Sequence, residues 1–380
     1  MKKPKILFFL QVVGHPRDSK RIQMLQDEGF EVEAIAFERK YHKGRPPNCK
    51  LTNLGFIRNK KYFERFIKIL IELPKIRKFI KRNEIIYASG QDVAFASLIS
   101  GLGFRKPIIM EVGDIASLQT GHGILGKIIR KIDKIITSQY ALLIVISEGF
   151  LNIYYKKWLN LSIPAMVIKN KLEPNNVGQD YKKFRANSKH FKIKQKNPLR
   201  IGYFGLLRDY WSWKVLSTLA TRFPNQFEII FAGYPINPLN IENRLKNYKN
   251  MHYLGEYKSP TDLPFIYNQV DMIWACYPEI KKNDWNLKWG RPNRFYESCF
   301  FAKPCFARDY SLFAEDVKNY NIGCLIKDVD VDKVVSQISN ISTKDYSNWK
   351  KSLDNLPPKF FLLSNESKKL ADNIRKILNN

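Results

Sequence analysis

The sequence predicts an α/β protein of two doubly wound domains facing each other across a cleft. Three observations lead there. Short apolar segments alternate with amphipathic ones in two successive runs, a polar break divides the runs near residue 170, and 380 residues exceed what one compact core needs.

The first run opens with KILFFLQVV (5–13), a continuous apolar segment of the kind a strand buried on both faces requires. Gly14, a polar turn, the amphipathic Lys20–Gly29 and the run VEAIAF complete a strand–helix–strand unit. The rhythm continues through EIIYAS, the helical AFASLISGLGF, PIIMEV, a helix near 124–138, the strand ALLIVIS and a helix from Glu148 that ends before IPAMVI. Beyond Asn170 the chain turns polar, rich in Lys and Asn, for longer than a connection inside a domain requires. At Leu199 the alternation restarts with LRIGYFG, a helix near 212–222, FEIIFAG, NMHYLGEY, a helix after Pro260 and VDMIWACY. Further units follow at 292–302, 304–307 and 322–326, and Leu370, Ile374 and Ile377 have helical spacing. Domains are therefore expected at 1–170 and 198–363, with a linker region at 171–197 and a helix in 364–380 packing back toward the first domain. Ligands of such sheets bind beyond the carboxyl ends of the strands.

Sixty-four Lys and Arg against 35 Asp and Glu leave a formal charge of +29. A field of that sign attracts nucleic acid, anionic lipid and phosphorylated substrates alike, unless compositional drift explains part of it. No zinc pattern or RNA-recognition signature accompanies the charge, so nucleic acid is not the expected partner. Five scattered cysteines without a C-x-x-C pair suggest neither a disulfide framework nor a zinc site, and fit a reducing compartment. The apolar start is too short for a signal peptide and leads into charges. No run reaches the roughly 20 apolar residues that span a bilayer, so a cytoplasmic protein with at most peripheral membrane contact is expected.

Several segments, in order and spacing, resemble the GT-B glycosyltransferases and in particular their family 4 group. They are RIGYFGLLRDYWSW, FEIIFAG, MHYLGEYKSPTDLPFIYNQVDMIWACY and RPNRFYESCFFAKPCFA, preceded by the glycine loop after the first strand, VISEGF and the VIKN turn. The resemblance implies two Rossmann-like domains, the first for an acceptor and the second for a nucleotide diphosphate sugar used as co-substrate, with no tightly bound cofactor. Glu297 matches the glutamate that binds ribose, although the same residue three positions after Arg294 also suits a helix-surface ion pair. Many relatives carry a second glutamate eight positions earlier, where Trp289 stands here. Pro292, Asn293 and Arg294 resemble a motif of capsule and teichuronic-acid-type transferases. Arg208 and Lys214, after the glycine loop, resemble the basic pair that neutralises a leaving diphosphate, or are solvated charges. Gly14, Gly205 and Tyr257 complete the implied donor site. No His or Cys ligand cluster is present, and a metal-free site is expected.

On the acceptor side, Asp114 is the first candidate base, Glu111 the second, and either carboxylate equally suits capping the next segment. His15 reaches the cleft or caps a helix. Residues 58–82 hold ten Lys or Arg against two Glu among Phe and Ile residues, with Pro74 expected to kink or divide the segment. Such a segment either lies on an anionic membrane through Lys60, Lys61, Arg65 and Lys68 or packs its apolar face into the core. The reading is a hexose-type transferase of bacterial surface polysaccharide synthesis acting on a lipid-linked glycan, with a nucleotide-sugar epimerase or a basic nucleic-acid-binding protein as alternatives.

Overall fold

The computed structural model describes residues 3–38, 46–58, 62–174, 198–278 and 285–379. Most of the segment expected to be a linker, and Lys60 and Lys61, lie outside the described residues. The chain forms two compact units: the part up to Lys169 together with the segment from Ser364, and Asn170–Leu363.

In the first unit seven parallel strands run β1 (Lys5–Leu10), β2 (Glu31–Glu38), β3 (Lys50–Phe56), β4 (Ile85–Ser89), β5 (Ile108–Val112), β6 (Leu142–Val145) and β7 (Ala165–Val167). Their order across the sheet is β3-β2-β1-β4-β5-β6-β7, so the winding reverses between β1 and β4. The connecting helices are α1 (Pro16–Asp27), α2 (Tyr62–Arg82), α3 (Gln91–Ser100) and α4 (Ile124–Thr137), and Phe150–Trp158 winds as a π-helix where an ordinary helix was expected. Strand β1 is shorter than its apolar run, because the chain leaves the sheet at Gln11 to reach Gly14 at φ 86°.

Pro74 does not divide α2. Its missing N–H would have met the carbonyl of Leu70, and both residues are exposed, so water can satisfy that carbonyl and the helix runs on.

The second unit is a six-stranded parallel sheet of β8 (Leu199–Leu207), β9 (Phe227–Pro235), β10 (Met251–Tyr253), β11 (Met272–Trp274), β12 (Cys305–Arg308) and β13 (Gly323–Ile326). The order β10-β9-β8-β11-β12-β13 again reverses after its first strand. Its helices are α5 (Tyr210–Arg222), α6 (Ile241–Leu245), α7 (Leu263–Asn268), α8 (Trp285–Trp289), α9 (Asn293–Phe300), α10 (Leu312–Asn319), α11 (Val331–Ser339) and α12 (Thr343–Asp354). Two cores flank this sheet and explain the unbroken apolar runs: Tyr203, Ile229, Phe231 and Trp274 enter one, while Phe204, Ile230, Ala232 and Ile273 enter the other.

Helix α13 (Glu366–Asn379) belongs to the first unit, where Arg375 donates to the Glu28 carbonyl at 2.7 Å and lies over the Phe30 ring. Among the described residues, no helix is long and apolar enough to cross a membrane.

Candidate functional site

In the second unit the reversal between β8 and β11 gathers most of the residues singled out for donor binding. Near its carboxyl end β8 carries Gly205, φ 98°, in register with Gly233 of β9. A Cβ on Gly233 would stand 2.1 Å from the Gly205 carbonyl oxygen, so β9 approaches β8 this closely only because position 233 carries no side chain. The Tyr257 hydroxyl lies 3.8 Å from the Cβ position of Gly205.

Helix α9 brings Arg294 and Glu297 under this end of the sheet, 6% and 7% exposed. They do not form the helix-surface pair that their spacing allows. Glu297 accepts from the Tyr267 hydroxyl at 2.8 Å, and burial, then the Glu297 carboxylate, push that phenol well above its ordinary pKa, keeping it a donor. Arg294 donates to the Trp274 carbonyl at 3.2 Å and to the Tyr277 hydroxyl, with its guanidinium 4.8 Å from the Tyr203 ring and 5.0 Å from the Tyr277 ring. No carboxylate among the described residues forms an ion pair with it. A buried cation without a counter-charge is costly, and an anion beside it relieves that cost.

Arg208 supplies a second charge there, its guanidinium 4.9 Å from the same Tyr277 ring. It precedes Asp209, which caps α5 by accepting from Ser212 N at 2.6 Å and also accepts from the Tyr203 hydroxyl at 2.8 Å. Arg208 therefore stands at the positive end of a 13-residue helix. Lys214 is not a loop residue: it lies a turn inside α5, exposed, 6.0 Å from the Tyr210 ring. Asn293 opens α9 and is exposed. Trp289 is buried and stacked on Trp285 at 4.8 Å. Tyr203, Tyr267 and Tyr277 escaped the sequence reading. For Tyr203 and Tyr277 the signal was an aromatic residue within or just after an apolar strand run, and for Tyr267 one in the helix after Pro260, which core packing explains equally well.

Asp328, Asp330 and Asp332 form an Asp-x-Asp-x-Asp run that the metal-free expectation overlooked. Asp328 accepts from Val329 N and Asp330 N and pairs with Lys333 at 3.2 Å. Asp330 caps α11, and Asp332 pairs with Arg222 at 2.6 Å, so each of the three has a structural role.

In the first unit the ends of β1, β4 and β5 gather a second polar cluster. Glu111, the alternative base, is fully buried: Arg21 reaches it at 3.2 Å, Arg17 at 3.5 Å, and the Tyr87 hydroxyl donates to it. That arrangement anchors α1 to the sheet and leaves the carboxylate to the protein's own cations. Arg17 passes over Gly113, whose Cβ would stand 1.6 Å from the guanidinium. Of the three carboxylates that act on Arg17, namely Glu111, Asp18 and Asp114, only Asp114 is exposed. His15 caps α1, its Nδ1 accepting from Arg17 N at 3.3 Å. On α2, Arg65 is paired with Asp92 and its side chain is 11% exposed, while Lys68 lies against Gly55. Neither is displayed as a free surface cation.

No protein-family model matches the chain. The succinoglycan biosynthesis protein ExoL of Rhizobium meliloti (strain 1021) is 25% identical, over 90% of this chain and 86% of that protein. Among solved structures, sucrose-phosphate synthase of Thermosynechococcus elongatus superposes with a TM-score of 0.71 at 12% identity, covering 99% of both chains. Alr3699/HepE of Anabaena, crystallised with UDP and glucose, gives 0.65 at 15% identity over 98% of this chain and 99% of that one. The chain has the GT-B fold of glycosyltransferases. The GT-B architecture also occurs in the UDP-GlcNAc 2-epimerase of Neisseria meningitidis, with a TM-score of 0.56 at 14% identity over 98% of this chain and 100% of that one.

Proposed function

We propose that the chain is a glycosyltransferase that moves a hexose-type sugar from a nucleotide diphosphate donor to a glycan acceptor in bacterial surface polysaccharide synthesis. The observation that carries this reading is the buried Arg294, paired with no carboxylate among the described residues, beside Arg208 at the β8/β11 reversal and next to the tyrosine-held carboxylate of Glu297. That set offers a cationic seat for a diphosphate and an acceptor for ribose hydroxyls. The likeness to ExoL over nine-tenths of the chain supports the polysaccharide setting.

In transfer, the bond between the sugar C1 and the diphosphate oxygen breaks, the nucleoside diphosphate leaves with the electron pair, and the acceptor oxygen bonds to C1 while losing its proton. Arg294, Arg208 and the amides opening α5 stabilise the charge growing on the leaving group, with Lys214 and Asn293 at its border. Cationic side chains fill the role a metal would otherwise take. Asp114 receives the acceptor proton, because its carboxylate is exposed where that of Glu111 is enclosed. Gly14 and the His15 cap shape the acceptor side. The acceptor is a glycan on a lipid diphosphate carrier at the inner face of the cell membrane, which the net charge of +29 and the exposed Phe66, Ile67, Leu70 and Ile71 of α2 support.

Calorimetry with nucleoside diphosphates tests the reading, beginning with UDP because HepE was crystallised with it. Saturable binding by one of them, followed by sugar transfer in a radiolabelled assay, is expected. An epimerised free nucleotide sugar, or no nucleotide binding by folded protein, overturns it.

A further inference from the structure

Helix α4 is amphipathic in the reverse of the usual sense. Ile124, Leu125, Ile128, Ile132 and Ile135 are all exposed, from 78% at Ile124 to 50% at Ile132. The side it turns to the protein is centred on small and polar residues, Gly126, Arg130, Asp133 and Thr137, at helical spacing, with the half-buried Ile129 and Ile136 along one flank. That orientation is enforced. Asp133 accepts from Tyr154 OH at 2.6 Å, Gln119 Nε2 at 2.9 Å and Thr137 Oγ1 at 3.0 Å. Arg130 donates to the carbonyls of Gln119 and Gly121 at 2.9 and 2.7 Å, and a Cβ on Gly126 would stand 2.1 Å from the Gly121 oxygen. Rolling the isoleucines inward would leave the Asp133 carboxylate and its donors without these partners. A water-facing helix needs the opposite arrangement, because each exposed isoleucine adds unfavourable apolar area.

Lys127, Lys131 and Lys134 form a row along one border of the apolar row, and no carboxylate among the described residues pairs with them. At 100° per residue the two rows occupy adjacent parts of the outward side, while the one acidic residue of the helix faces inward. Aliphatic residues bordered by lysines match a bilayer surface with anionic headgroups, into which a helix of this length lies flat. A second copy of the chain is a poorer occupant, since a symmetric pairing of the helices would bring the lysine rows together.

We propose that α4 is the principal membrane-docking element of this protein, seating its isoleucine row among the acyl chains of an anionic bilayer. This rests on the peripheral attachment proposed above and transfers its main contact from the 58–82 segment, where Arg65 is already paired with Asp92.

The test is cosedimentation of full-length protein with phosphatidylglycerol and with phosphatidylcholine vesicles. It compares wild type, I128D/I132D, K127E/K131E/K134E, and the α2 variant K60E/K61E/K68E. Wild type is expected on the anionic vesicles only, and each α4 variant is expected to bind at least about tenfold more weakly with an unchanged melting temperature. The α2 variant is expected to lose less. In an otherwise active protein, Ile128→Trp should show a blue-shifted emission gain on adding anionic vesicles. Absence of wild-type binding overturns attachment itself. Equal binding by the α4 variants overturns the role of α4, as does a wild-type dimer that I128D/I132D converts to monomer. UDP calorimetry on the same variants separates either failure from a failure of the transferase reading.

Discussion

At the scale of single residues, Arg294 and Glu297 illustrate how burial turns ordinary charges into the candidate site of the proposed nucleotide. Arg294 carries its charge into the interior with tyrosine rings and one carbonyl around it, so in the proposed reading its cost is borne by the free protein and recovered when a diphosphate arrives. Arg294→Met is therefore expected to abolish nucleoside diphosphate binding while leaving the melting temperature of the free protein unchanged or higher. Calorimetry and a thermal melt on one preparation decide it, and a large loss of stability would mean that Arg294 is structural. Glu297→Ala should weaken nucleotide binding by about 1–3 kcal/mol, the range for removing a charged hydrogen-bond partner, and unaltered affinity would move the ribose elsewhere.

Asp18 is the titrating counterpart in the first unit. Burial raises its pKa from 3.8 to about 6, against the opposing charge of Arg17 and a 2.6 Å hydrogen bond from Ser89. A raised carboxylate favours the folded state while protonated. Its contribution is therefore complete below about pH 4 and lost as pH rises through about 6, a change of about 2–3 kcal/mol. Urea unfolding of wild type and Asp18→Asn across pH 4–7 should show that difference in slope; parallel profiles would place the Asp18 pKa near its ordinary value.

Among the elements, the strand ends are constrained most tightly. Gly233 sits at φ 117° with its missing Cβ pointing at the Gly205 backbone, so Gly233→Ala must both strain its own dihedrals and part β8 from β9. A loss of about 2–4 kcal/mol in urea unfolding is expected, together with weakened nucleotide binding, since Gly205 and Tyr257 share that corner. A variant as stable as wild type would show that the corner yields more easily than its packing implies. Helix α2 makes the complementary point: an internal proline is tolerated where the freed carbonyl faces water.

For the molecule as a whole, the excess of positive charge links the two proposals, donor binding and membrane docking. The cations at the β8/β11 reversal are expected to replace a metal, so full transferase activity should survive chelation. Activity lost to chelator and restored by magnesium or manganese would overturn that expectation and direct attention back to acidic groups such as Asp328 and Asp332. Membrane binding, resting on lysines at a surface, should fall steeply as ionic strength passes about 0.15 M, where the screening length is near 8 Å. Insensitivity to salt would indicate attachment by the isoleucine row alone.

The sequence by itself determined the alternation of strands and helices and, through the order of weak motifs, the GT-B architecture. Continuous apolar runs admit little besides strands buried on both faces. It also placed Arg294 and Glu297 on one short helix. Tertiary structure alone decided what those side chains meet: Arg294 and Glu297 are separate, Glu111 is locked between arginines, and Tyr203, Tyr267 and Tyr277 converge from three parts of the chain. It likewise decided which side of α4 faces outward. Periodicity reports that a helix has two faces, but only the partners of Asp133, drawn from Gln119 and Tyr154, reveal that the polar face points inward.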